Sequence, residues 1–226
     1  YALHQMRINS FREYDLENGI QDQVYEGVSG ESVRTIQATE ATKGETLLYR
    51  DEALKAYFHA NCGGVTEVPG FVWGGETKAF RPVICPYHQS SRDKAQWNIL
   101  VSRSQLESAL RRVAGLLPNS FARVASLEAG APNGSGRLSD VSVSDTAGNN
   151  ILISTNTFRN AIGTLKLKST AFRIFRDAKG FRIEGEGNGH GVGLCQVGAK
   201  AMAKQGKGYR QILHFYYPLA KILPLL

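Results

Sequence analysis

The apolar positions of this chain fall into short runs whose period changes along its length. Tyr1-Ala2-Leu3-His4-Gln5-Met6 has helix-forming composition with no capping residue ahead of it, so it reads as the end of a helix begun upstream. Residues 7–22 carry no period, and Gln23-Val24-Tyr25-Glu26-Gly27 alternates briefly. From Ser32 to Thr42 the positions of Val33, Ile36, Ala38 and Ala41 predict a short helix stopped by Gly44. Glu45–Arg50 and Ala53–His59 read as two strands of a hairpin turning at Asp51-Glu52.

Residues 60–98 are rich in glycine, proline and aromatics and lack a period, so they are expected to form a long irregular loop that needs a staple or carries function. Ser104-Gln105-Leu106-Glu107 is a capping box, opening a helix that keeps Leu106, Leu110, Val113 and Leu117 on one face until Pro118. Alternating runs at 122–127, 138–144 and 150–155 are separated by Pro132-Asn133-Gly134 and Ala147-Gly148-Asn149, which are turn sequences. Thr157–Leu165 reads as a helix capped by Thr157, and residues 172–175 and 181–183 flank a turn at Asp177–Gly180. The expected class is α+β, with mostly antiparallel strands, several short helices and the long loop at 60–98.

Between Glu184 and Gln196 the strand pattern dissolves into Glu-Gly-Glu-Gly-Asn-Gly-His-Gly-Val-Gly-Leu-Cys-Gln, and Gln196–Gln205 then has helical composition before Gly206. The spacing is neither that of a dinucleotide-binding turn nor that of a P-loop. His190, flanked by glycines, reads either as a proton carrier or ligand-binding donor, or as part of a turn whose glycines let two layers pack.

Hydrophobic residues make up 42% of the 226 and charged residues 21%, an ordinary globular balance, and no apolar run reaches the length of a membrane span. The net charge of +7 favours anionic partners. Its lysines and arginines are scattered, without a basic stripe interleaved with aromatics, so nucleic acid is not an expected partner.

The irregular segment holds His59-x-x-Cys62 and Cys85-Pro86-Tyr87-His88. Two sulfurs and two imidazoles in paired knuckles match a closed tetrahedral zinc site, which contributes folding free energy on the order of 10 kcal/mol. The alternatives are a Cys62–Cys85 disulfide, worth roughly 3 kcal/mol by loop closure, or two buried thiols. Spacing favours a structural zinc held by His59, Cys62, Cys85 and His88, because a disulfide leaves both histidines unexplained. Cys195 reads as a small buried apolar residue.

With these pieces placed, the chain resembles the stage II sporulation protein D family, the SpoIID/LytB domain. The resemblance rests on Gln23-Val24-Tyr25-x-Gly27, on Tyr57-Phe58-His59-x-x-Cys62-Gly63-Gly64-x-Thr66-Glu67 with Val72-Trp73, and on Phe158-Arg159 and Lys168-Ser169-Thr170-x-Phe172. Above all it rests on Gly187, Gly189-His190-Gly191-Val192-Gly193, Gln196, Gly198-Ala199, Met202-Ala203, Gly206, Ile212-Leu213 and Tyr216-Tyr217-Pro218. It covers nearly the whole chain, which reads as a single domain over 1–226, truncated at its N-terminus.

The resemblance implies an exported protein of the periplasm or cell envelope that acts on peptidoglycan. Sporulation-type members are lytic transglycosylases, in which one glutamate protonates the glycosidic oxygen and then takes the proton of the muramic 6-hydroxyl, closing an anhydro ring. Other members are enhancers of cell-wall amidases, which makes a non-catalytic wall-binding or amidase-enhancing module the alternative. The family's glutamate precedes a helix ending Ala-Arg-Thr-Tyr-Ala-Leu, and this chain begins at Tyr1-Ala2-Leu3, so that acid is expected upstream. Gln23, Tyr25, His190 and Gln196 are expected to line the glycan cleft as hydrogen-bonding groups, with Trp73 as a sugar-stacking surface. Glu67, Glu184 and Glu186 read as solvated or locally paired.

Overall fold

A computed structural model describes residues 1–19, 22, 24–75, 77–87 and 95–224. The chain forms two compact units, Tyr1–Tyr57 with Pro218–Leu226, and Phe58–Tyr217.

In the first unit, helix α1 (Ala2–Ile8) is tied to its following loop through Asp22. That carboxylate accepts from the Tyr1 hydroxyl and the Gln5 amide, each at 2.8 Å. Helix α2 (Val33–Ala41) starts at Ser32, whose hydroxyl accepts from the Thr35 N–H in a reciprocal capping box, as the serine ahead of the apolar run predicts. Strand β1 (Glu45–Tyr49) forms as expected. Its returning partner β2 is only Glu52–Ala53, because Arg50 and Asp51 make a tight left-handed turn and the other edge of β1 is taken by β11 (Lys221–Pro224). The expected second hairpin strand therefore ends early.

Phe58–His59 belongs instead to the second unit, as strand β3, which pairs in parallel with β10 (Leu194–Cys195). The expected irregular segment contains helix α3 (Pro69–Trp73), entered through Pro69 at its first turn. Two antiparallel sheets build the core: β4 (Gln96–Val101), β9 (Gly180–Glu186) and β8 (Ala171–Asp177) in the order β4-β9-β8, and β5 (Val124–Ala129), β6 (Asp140–Asp145) and β7 (Asn150–Ser154) in chain order. Strict alternation drives this arrangement, with Val141 and Val143 buried on β6 and Phe181 and Ile183 on β9, while Arg182 points to solvent.

Helix α4 (Arg103–Arg111) inserts Leu106 and Leu110 into the core. Its cap is Ser102, boxed with Gln105, and not Ser104 with Glu107: the Glu107 carboxylate accepts from the Val124 N–H at 2.7 Å. Helix α5 (Thr155–Ile162) buries Phe158, and its cap is Ser154, not Thr157, whose N–H donates to the Ser154 hydroxyl. Helix α6 (Gln196–Lys204) follows the glycine turn as expected, and α7 (Tyr209–Tyr216) completes the unit. The fold is α+β with antiparallel sheets and short helices, apart from the parallel β3–β10 pair on which the site is built.

Candidate functional site

The glycine-rich turn is laced to the segment that follows β3. Asn61 bridges Asn188, Glu67 bridges Val192, and the Cα partners His59 and Cys195 lie side by side across β3 and β10. Residues more than a hundred positions apart in sequence are thereby brought into one buried cluster.

At its centre the ligand atoms of His59, Cys62 and Cys195 all lie within 4.8 Å of one another, and all three side chains are buried. Nδ1 of His59 is 3.0 Å from the Val192 carbonyl oxygen, which fixes the proton on that nitrogen, while Nε2 is buried without a hydrogen-bond partner. Burial pushes this imidazole well below its ordinary pKa, so its free nitrogen carries a lone pair. The Cys195 sulfur accepts from the Cys62 N–H at 3.3 Å and from the Gly198 N–H, at the start of α6, at 3.4 Å. The Cys62 sulfur accepts from the Gly64 N–H at 3.4 Å.

Cys85 lies against this group. Its thiol shares hydrogen bonds with Cys195 and Cys62, and its sulfur is 3.1 Å from the Tyr216 hydroxyl oxygen. Those bonds hold Cys85 far below the ordinary thiol value, whereas bonding to Cys195 and then to Cys85 pushes Cys62 up. Gly198 admits this approach, since a Cβ there would lie 2.8 Å from the Cys85 sulfur and would overlap the Tyr216 hydroxyl.

A buried histidine with one nitrogen on a backbone carbonyl, close to two cysteine sulfurs that accept from backbone N–H groups, is a group of side chains that could hold a metal ion. Of the sequence-derived ligands, His59 and Cys62 meet in the cluster, Cys85 adjoins it, and His88 lies outside the described residues. Sequence reasoning missed Cys195. The signal available was the odd cysteine placed directly after the glycine turn.

A second group surrounds His190. Its ring is 5.6 Å from that of His59 and 4.9 Å from the indole of Trp73, centroid to centroid. Nδ1 accepts from the Val192 N–H at 3.0 Å, and the Phe58 backbone supplies a further hydrogen bond. Burial, followed by the charges of Arg159 and Arg137, lowers His190 to about 4, so the imidazole is neutral near pH 7. Trp73 remains 45% exposed beside it. Gln196 is exposed at the start of α6. Tyr25 belongs to the first unit, exposed and donating to Glu31 at 2.8 Å, and Gln23 lies outside the described residues.

The glutamates are engaged structurally. Glu67 is only 2% exposed, with Oε1 accepting from the Val68 N–H at 2.9 Å and Oε2 from Asn133 and Ser135 at 2.7 and 2.6 Å. Glu184 pairs with Arg182 on an open sheet face, and Glu186 is exposed near Gln96.

The family described as Domain of unknown function (DUF8618) matches residues 32–193. The chain belongs to that family. It is 29% identical over 224 residues to an uncharacterized protein of Brachyspira hyodysenteriae, covering 96% of this chain and 56% of the relative. It is also 29% identical over 239 residues to a protein named Amidase enhancer from Bacillus subtilis, covering 87% of this chain and 33% of the relative. Stage II sporulation protein D of Bacillus amyloliquefaciens is 26% identical over 180 residues, covering 80% of this chain and 48% of the relative. These similarities support the SpoIID/LytB-like family read from the motifs. The chain spans about half or less of the length of these relatives. Among the described residues, no helix is long and apolar enough to cross a membrane.

Proposed function

We propose that this chain provides the glycan-binding surface of a peptidoglycan lytic transglycosylase in the periplasm or cell envelope, acting as one SpoIID/LytB-type domain. The observation that carries the reading is the pairing of a half-exposed Trp73 with a neutral, internally bonded His190. A rigid aromatic face beside a polar edge suits a sugar ring, and the glycine turn keeps side chains out of its way. His190 serves as a support for the indole, because its hydrogen bonds to Val192 and Phe58 leave it poorly placed as a substrate donor. Gln196 is an exposed hydrogen-bonding group on the same turn-to-helix segment. Glu67, with both oxygens committed to structure, is not the general acid of this reading.

His59, Cys62 and Cys195, with Cys85 adjoining, would hold a structural zinc that would cross-link the knuckle at 59–62 to the end of the glycine turn. Such a metal would supply folding free energy on the order of 10 kcal/mol. The protein's own groups orient the ligands through the Val192 carbonyl and the N–H donors to sulfur.

A second reading, a non-catalytic module that promotes a cell-wall amidase, is favoured by the 29% identity to the Amidase enhancer. Incubating the intact natural protein with denuded glycan strands and weighing the products separates the two. Anhydromuramic ends support the transglycosylase, and intact strands with a stimulated amidase support the module.

A further inference from the structure

Arg137 is a fully buried cation, 0% exposed, on the loop between β5 and β6. Desolvating a guanidinium costs several kcal/mol, yet Arg137 does not spend its fork on a carboxylate. Nη2 donates to the carbonyl of Cys62 at 2.8 Å and Nη1 to the carbonyl of Val65 at 3.0 Å, with the Ser135 hydroxyl at 3.4 Å. Between those two carbonyls lie Gly63 and Gly64, at φ of +75° and +124°. A pair of glycines in the left-handed region has high conformational entropy in the free chain, and it is the Gly64 N–H that reaches the Cys62 sulfur. A planar fork gripping both ends of this pair fixes it.

The same guanidinium touches the opposite ligand segment. A Cβ at Gly191 would lie 2.6 Å from Arg137 Nε, so the cation lies flat against the turn that presents the Val192 carbonyl to His59 and leads into Cys195. Its loop is anchored in turn by Asn133 and Ser135, which donate to Glu67, while the Glu67 N–H donates to the Gly191 carbonyl at 2.8 Å. Glu67, Cys62 and Cys195 lie around the guanidinium.

We propose that Arg137 is the positioning residue of the metal centre, stapling the Cys62 knuckle and the glycine turn into one preorganised ligand set. This rests on the zinc reading above. Partners in the outer shell of a metal site change affinity by about 10- to 100-fold when removed.

The test is zinc affinity of the intact protein, measured by competition with a chromophoric chelator, together with the ligand-field spectrum of the cobalt-substituted protein. Arg137→Lys, which keeps the charge and loses the fork, is expected to weaken zinc about 10-fold and to shift the cobalt bands. Arg137→Gln, which loses both, is expected to weaken it further. Ile153→Val, a core substitution on β7, controls for general loss of stability and is expected to leave affinity and spectrum unchanged. If Arg137→Lys does not fold, Ser135→Ala removes only the hydroxyl between Glu67 and Arg137 and is expected to give a several-fold loss. Wild-type protein that binds no zinc overturns both the metal centre and this role. Wild-type binding with unchanged affinity and spectrum in the folded Arg137 or Ser135 variants overturns the role of Arg137 alone.

Discussion

Nδ1 of His59 points at the carbonyl oxygen of Val192, 3.0 Å away and 133 residues along the chain, while Nε2 is buried without a hydrogen-bond partner in the same cluster as Cys62 and Cys195. The candidate metal-binding group therefore draws on the end of the glycine turn and not on the 59–88 segment alone. Cys195→Ser is expected to lower zinc content well below one per chain, because a buried serine is a much poorer ligand than a thiolate. Elemental analysis after dialysis against a weak chelator checks this, and full zinc retention in the variant would remove Cys195 from the site.

Gly198 brings the start of α6 against the sulfurs of Cys85 and Cys195. Gly198→Ala places a Cβ into the Tyr216 hydroxyl and 2.8 Å from Cys85, so overpacking is expected to cost about 1–3 kcal/mol. Urea denaturation of both proteins measures it, with a reduced midpoint as the expected outcome.

Asp145 closes the turn between β6 and β7. Burial raises its pKa, but donors from the Asn149 side chain and from the backbone of Ala122, Asn149 and Ala147 outweigh it and hold the carboxyl at about 2. The folded chain thus binds fewer protons here than the unfolded chain, whose carboxyl titrates near the ordinary value of about 3.9. The resulting stability is fully present above that value and is lost as pH falls from about 4 toward 2. Urea midpoints of wild type and Asp145→Ala are expected to differ most above pH 5 and to converge on acidification.

Much of the fold was legible because alternation is strict where one face is buried, as at Val141 and Val143 or Phe181 and Ile183. The capping serines were displaced by two or three residues, since Ser102 and Ser104, and Ser154 and Thr157, offer the same local chemistry and only the tertiary use of Glu107 decides between the first pair. The second hairpin strand ends at Ala53, and Phe58 and His59 pair instead with a parallel partner far along the chain, which no local period encodes. That His59 and Cys62 share one cluster was readable from spacing. Cys195 and Arg137 were not, since a lone cysteine and a loop arginine acquire meaning only when the topology brings them to the same knuckle.

Trp73, backed by His190, is the proposed sugar-binding face. Its most direct test is the affinity of zinc-loaded protein for denuded peptidoglycan glycan strands, compared with that of Trp73→Ala. Wild type is expected to bind, and loss of one stacking surface worth about 1.4 kcal/mol is expected to weaken binding about tenfold without unfolding the protein. Equal binding by the two folded proteins, or none by wild type, would contradict it.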